Sequence, residues 1–166
     1  QHRPMNRFIA PILLALMLSA CGLQPLYSGG SKGAVATTLG SVSVATIEGK
    51  SGWLMRNALT DRLGAQDSNV AQFRLVVTLD DRIEGFGVRA DDTVTRERRT
   101  LRARYQLISV ATGKTVLDAT AGSDAGIDVA GSEYATIAGE NSALENLTQK
   151  VADQIVTRLS IYARGE

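Results

Sequence analysis

The 166-residue chain is short of reactive residue types. It holds one cysteine, Cys21, and one histidine, His2. A single cysteine cannot close an internal disulfide, and it excludes every cysteine-cluster metal site. A single histidine leaves little for imidazole catalysis or zinc ligation. The three prolines, Pro4, Pro11 and Pro25, all precede residue 26, so no later element is interrupted by proline. Aromatics make up 5% and the formal net charge is +1. Both argue against a wholesale nucleic-acid binder. The longest apolar run, Phe8 to Leu18, has 11 residues, well short of the roughly 20 that a transmembrane helix needs. What remains is 44% apolar and 21% charged, the composition of one folded domain with a sizeable core.

The N-terminus reads as an address. Arg3 and Arg7 precede the apolar run, and Leu18-Ser19-Ala20-Cys21-Gly22 follows with small residues. A basic start, about ten apolar residues and small residues before a cut describe a secretory signal peptide over residues 1–20. Leu18-Ser19-Ala20-Cys21 also resembles the lipobox of bacterial lipoproteins. That resemblance implies a diacylglycerol on the Cys21 sulfur, cleavage before it, and acylation of the new amine. Each acyl chain adds about 0.8 kcal/mol per buried CH₂, so several chains anchor stably where one does not. By resemblance to the usual bacterial sorting pattern, glycine rather than aspartate at position 22 favours the outer membrane. Loss of residues 1–20 removes Arg3, Arg7 and His2. Of the 18 basic residues 16 then face 17 acidic ones, giving a side-chain charge of −1 and no histidine.

Residues 21–40 read as a lipidated start and a flexible tether, because Ser28 to Gly40 is small and glycine-rich. Residues 41–166 read as one α/β domain. Ser41 to Ile47 alternates and is β-branched, which predicts a strand. A helix is expected over Trp53–Leu63, with Ser51 as its N-cap and Gly64 as its stop. A second strand spans Ala71–Arg82, with Phe73, Leu75, Val77 and Leu79 on one face. Gly85 and Gly87 mark a break or bulge. A third strand runs from about Thr93 to Val110, with Leu101, Ala103, Tyr105 and Leu107 facing the core. Ala111 to Lys114 form a tight turn into a fourth strand, Thr115–Ala121, completing a hairpin. The small segment Gly122–Gly131 either continues that strand or is irregular. In the last segment Leu144, Leu147, Val151, Ile155, Leu159 and Tyr162 step by three and four residues, one apolar helical stripe. The helix is expected to begin near Ser132 or Tyr134. The order predicts an α/β (α+β) two-layer sandwich, with two helices packed on one face of a four-stranded mixed sheet.

No catalytic residue and no metal site is expected, and no cofactor is implied. The mature chain has neither histidine nor a free thiol for nucleophilic catalysis. The acid pairs Asp80-Asp81 and Asp91-Asp92 suit general acid–base work or a hard cation. The preferred reading of both pairs is a solvated strand end and loop.

The most informative internal feature is a run of arginines. Arg89, Arg96, Arg98, Arg99, Arg102 and Arg104 stand against Asp91, Asp92 and Glu97. Period-two alternation throws Arg96, Arg98, Arg102 and Arg104 to one side. Guanidinium forks pair bidentately with phosphate, so the row suits a phosphorylated glycolipid or an anionic partner. A solvated sheet face whose charge discourages edge pairing is the competing reading.

These pieces resemble the LptE (RlpB) family of lipopolysaccharide-assembly lipoproteins, in its alphaproteobacterial form. The start from Leu18 through Cys21, Gly22, Leu23, Gln24, Pro25, Leu26 and Tyr27 is similar to the family's mature N-terminus. Leu54–Leu63 resembles its first helix, and Arg104 to Leu107 with Thr112-Gly113-Lys114 its central hairpin. Ser132 to Thr136 with Ala143, Leu147, Ile155, Leu159 and Tyr162 resembles its last helix. The resemblance implies a fold of two helices on a four-stranded sheet and a non-catalytic role. It implies an outer-membrane lipoprotein that plugs the LptD β-barrel, helps assemble it, and assists lipopolysaccharide transport to the outer leaflet. Lipopolysaccharide and the membrane, through the N-terminal lipid, are the other implied partners, and nucleic acid is not. The alternative is a lipid-binding accessory lipoprotein of another envelope transport system. A hydrolase of envelope polymers would need a carboxylate pair in a cleft.

Overall fold

The computed structural model describes residues 33–64, 71–88, 94–129 and 131–165. Cys21, Arg89, Asp91 and Asp92 lie outside the described residues. The elements are α1 (Ala34–Gly40), β1 (Val42–Val44), α2 (Gly49–Leu63), β2 (Phe73–Val88), β3 (Val94–Ser109), β4 (Thr115–Asp128) and α3 (Glu133–Ala163). The strands form one open sheet in the order β1-β2-β3-β4. β1 runs parallel to β2, and the other pairs are antiparallel. This is the expected mixed sheet with its helices on one face.

Alternation decides which face is covered. Leu75 and Val77 of β2, and Leu101, Ala103, Tyr105 and Leu107 of β3, all point to the helices and are buried. They meet Met55, Ala58, Leu59 and Leu63 of α2 and Leu147, Val151, Ala152, Ile155 and Leu159 of α3. Each such Leu, Ile or Val contributes about 1.5–3 kcal/mol by leaving water. The α3 stripe expected from the sequence is this buried surface; only Tyr162, at its end, is partly exposed, and its ring meets Phe73 edge-on at 6.2 Å. Across the helix pair, Arg62 hydrogen-bonds Asp153 and Gln149, and Lys50 bonds Asn141 at 2.6 Å.

Several boundaries differ from expectation. Residues 34–40, expected in the tether, form α1, and Leu39 enters the core at 2% exposure. Among the described residues the sandwich therefore has three helices rather than two. β1 is confined to Val42–Val44. α2 starts at Gly49 with Glu48 as its N-cap residue, so Ser51 lies inside the first turn. The early start depends on Gly52, whose added Cβ would sit 2.6 Å from the Ile47 carbonyl oxygen. Gly64 ends the helix in the left-handed region, as expected. Gly85 and Gly87 do not break β2. Register is kept from Phe86↔Arg96 to Val88↔Val94, while Gly87 takes a φ of 77°. The one register shift lies between Leu107 and Ile108, beyond the arginines. β4 continues through Gly122 to Asp128, since its pairing with β3 replaces the missing apolar run.

Candidate functional site

The sheet face turned away from the helices carries the arginine row. Arg96, Arg98, Arg102 and Arg104 alternate with the buried residues of β3 and are exposed. Because no shift interrupts β2–β3 or β3–β4 over these residues, all four share that face. The neighbouring strands place Arg74, Arg82, Asp80 and Glu84 of β2, and Asp118, Asp124 and Asp128 of β4, on the same surface. Six arginines thus face five carboxylates, in a basic column flanked by mixed ones.

The four arginines are held differently. Arg104 donates to Asp118 through Nε at 3.2 Å and Nη2 at 2.9 Å, and Gln106 donates to the same carboxylate at 2.8 Å. The hydrogen bonds from Arg104 and Gln106 lower the Asp118 pKa below the usual carboxylate range. The bond to Asp118, with its charge, raises that of Arg104. Arg96 pairs with Asp128 at 3.2 Å, with both groups well exposed. Arg98 lies 5.3 Å from the Phe86 ring centroid and Arg96 lies 5.6 Å from it, within cation–π range. Arg102 stretches over Gly122, where an added Cβ would strike its Cδ and come within 2.6 Å of Nη1. Among the described residues, Arg98 and Arg102 have no carboxylate partner. They are the two guanidinium groups of the row free to take an incoming anion.

Arg99 belongs to the other face. It grips Asp81 and the Glu140 carbonyl under α3, so it is structural and not part of the row. Its place follows from the same alternation, since it stands next to Arg98. Phe86, the Asp118–Gln106 clamp and Asp128 carried no local signal, because each meets its arginine only through strand register. Asp80 bonds Arg82 at 2.8 Å on the outer face, while Asp81 pairs with Arg99 on the inner one. This acid pair is therefore split across the sheet and does not converge on a cleft. Glu97, also inward, keeps one carboxylate oxygen buried without a hydrogen-bond partner. No helix among the described residues is long and apolar enough to cross a membrane.

Comparison with known proteins places this geometry. A family model described as LptE, lipopolysaccharide-assembly, matches residues 39–159. No curated protein matches. Among solved structures, one named as a lipoprotein of Caulobacter crescentus CB15 superposes with a TM-score of 0.68 at 24% identity. That match covers 80% of this chain and 97% of that one. Rare lipoprotein B of Shewanella oneidensis gives 0.58 at 12% identity, over 75% and 95% of the two chains. A minor lipoprotein of Acinetobacter baumannii gives 0.56 at 13%, over 73% and 89%. At these identities the likeness is one of fold. The family model spans most of the chain, from the end of α1 to the last buried leucine of α3, and the chain belongs to the LptE lipopolysaccharide-assembly family.

Proposed function

We propose that this protein is an outer-membrane lipoprotein, anchored through acylated Cys21, that takes part in lipopolysaccharide assembly without catalysing a reaction. It sits within the LptD barrel, assists the folding of that barrel, and helps pass lipopolysaccharide to the outer leaflet. The family match over residues 39–159 carries this reading. The lipobox ending at Cys21 and the exposed basic column of β3 support it. On that column Arg96, Arg98, Arg102 and Arg104 meet the phosphates of the glycolipid, with Arg98 and Arg102 unengaged by carboxylates.

Affinity purification of the lipidated protein from outer membranes tests the reading. Recovery of the barrel is expected. Recovery of an inner-membrane transporter complex instead points to the accessory lipoprotein of another system. Depletion in the native cell is expected to reduce surface lipopolysaccharide and properly oxidised barrel. Normal export with a normally assembled barrel overturns the proposal. Replacing the four arginines with serine should weaken lipopolysaccharide binding in a protein that still folds. Unchanged affinity leaves the row as a solvated face.

A further inference from the structure

We propose that the free edge of β4 from Asp124 to Asp128 receives an extended segment of a partner polypeptide as a fifth strand. That segment carries basic side chains on one face and apolar side chains on the other.

β4 is the last strand of the sheet, and no described strand pairs with its far side. Two observations fix which of its backbone groups point outward. The Val129 N–H donates to the Thr95 carbonyl at 3.0 Å, so odd-numbered residues here bond to β3. The Gly122 N–H donates to Gln154 Oε1 at 3.1 Å, and Gln154 Nε2 donates to the Gly122 carbonyl at 3.3 Å. The even-numbered residues therefore offer both groups away from the sheet. At Gly122 the Gln154 side-chain amide stands where a peptide group of another strand would stand. It closes the edge there and shows which chemistry the edge accepts. Beyond it, the N–H and C=O of Asp124, Gly126 and Asp128 face outward with no strand opposite among the described residues.

The same stretch borders a groove of about 720 Å³ between the β4 edge and α3. Ala125, Gly139, Ser142 and Ala143 line it with small side chains that leave space beside Ile127, and Lys150 and Asp153 add charge to its wall. An added strand alternates like any other. Its residues opposite Ala125 and Ile127 point into this groove and suit medium-sized apolar side chains. Its residues opposite Asp124, Gly126 and Asp128 point to the outer face. There Asp124 has no cationic partner among the described residues, and Asp128 holds only the exposed Arg96. The pattern that fits is basic, apolar, any residue, apolar, basic, with the middle residue over bare Gly126. Charge also decides against a second copy of this chain. Two β4 edges related by a twofold at Gly126 set Asp124 against Asp128 twice, and like charges directly opposite destabilise a pair.

The probe is the capped heptapeptide acetyl-Thr-Lys-Val-Ser-Val-Lys-Thr-amide, with a control in which glutamate replaces both lysines. Amide exchange is read residue by residue by NMR on the full chain in detergent. At saturation the lysine peptide should slow exchange at Gly126 and Asp128 by about tenfold or more, the protection expected of strand addition. Gly126→Pro removes one outward N–H and spares the β3 ladder, so it should abolish the effect. Asp124→Lys, an exposed change that leaves the backbone intact, should shift the preference to the glutamate peptide. Unchanged exchange at these amides with either peptide overturns the proposal. So does equal protection by both peptides, or protection without peptide in a sedimenting dimer.

Discussion

The Arg99 guanidinium holds both oxygens of Asp81, through Nε at 2.8 Å and Nη2 at 2.7 Å, and donates through Nη1 to the Glu140 carbonyl at 2.9 Å. This one side chain ties β2, β3 and α3 together. It does so where the sheet reaches past the leucine-rich core, with Arg99 11% and Asp81 19% exposed.

Arg99→Ala should therefore destabilise the fold. It leaves the largely buried Asp81 carboxylate without its donor and removes the tie to the Glu140 carbonyl of α3. Hydrogen bonds to charged groups are worth about 1.5–3 kcal/mol, so a loss of about 2 kcal/mol or more is expected in urea unfolding. Arg99→Lys keeps the charge but not the fork and should fall between. A variant as stable as the parent would show that this ion pair adds nothing.

The clamp on Asp118 predicts a pH effect. Its pKa is lowered in the folded chain, chiefly by the hydrogen bonds from Arg104 and Gln106. A depressed carboxylate adds stability above its unfolded pKa and loses it as pH falls through the folded value. The effect thus lies below about pH 4. It should be small, because both groups are exposed. An NMR titration of the Asp118 carboxyl carbon in the parent and in Arg104→Gln should show the midpoint rising in the variant.

Gly52 faces the Ile47 carbonyl oxygen so closely that a methyl group would lie 2.6 Å from it. Backbone, unlike a side-chain tip, cannot swing away. Gly52→Ala should cost about 1–3 kcal/mol, the usual range for overpacking. Thermal unfolding checks this, and a rise in the melting temperature would contradict the close approach.

The arginines should not contribute equally to anion binding. Arg104 already serves Asp118, whereas Arg98 and Arg102 have no carboxylate among the described residues. In lipopolysaccharide binding by the full chain, the double change of Arg98 and Arg102 to serine should weaken affinity about thirtyfold, since each charged contact is worth about 1 kcal/mol or more. Arg104→Ser should weaken it less. The reverse order would place the ligand at the hairpin end of the face.

Much of the architecture is local and so is readable in the chain. The stripe from Leu144 to Tyr162 repeats at helical spacing, and Leu101 to Leu107 alternates. The same alternation separates Arg98 from Arg99, because a period of two needs no distant partner. Weak local signals misled. Residues 34–40 are small and glycine-flanked, and only burial of Leu39 under α2 and α3 justifies a helix there. Ser51 is a good cap residue in isolation, yet the turn before it already fits because Gly52 can approach Ile47. Gly122 to Gly126 hardly looks like a strand, and β3 makes it one.

The sequence by itself determined the identity of each face, since periodicity is a property of neighbouring residues. Tertiary structure decided what each face meets. That Arg104 finds Asp118, that Arg102 lies across Gly122, and that β4 ends the sheet with Gln154 beside it all follow from strand register. Register is set by pairing residues far apart in the chain, and a one-residue slip would exchange every partner.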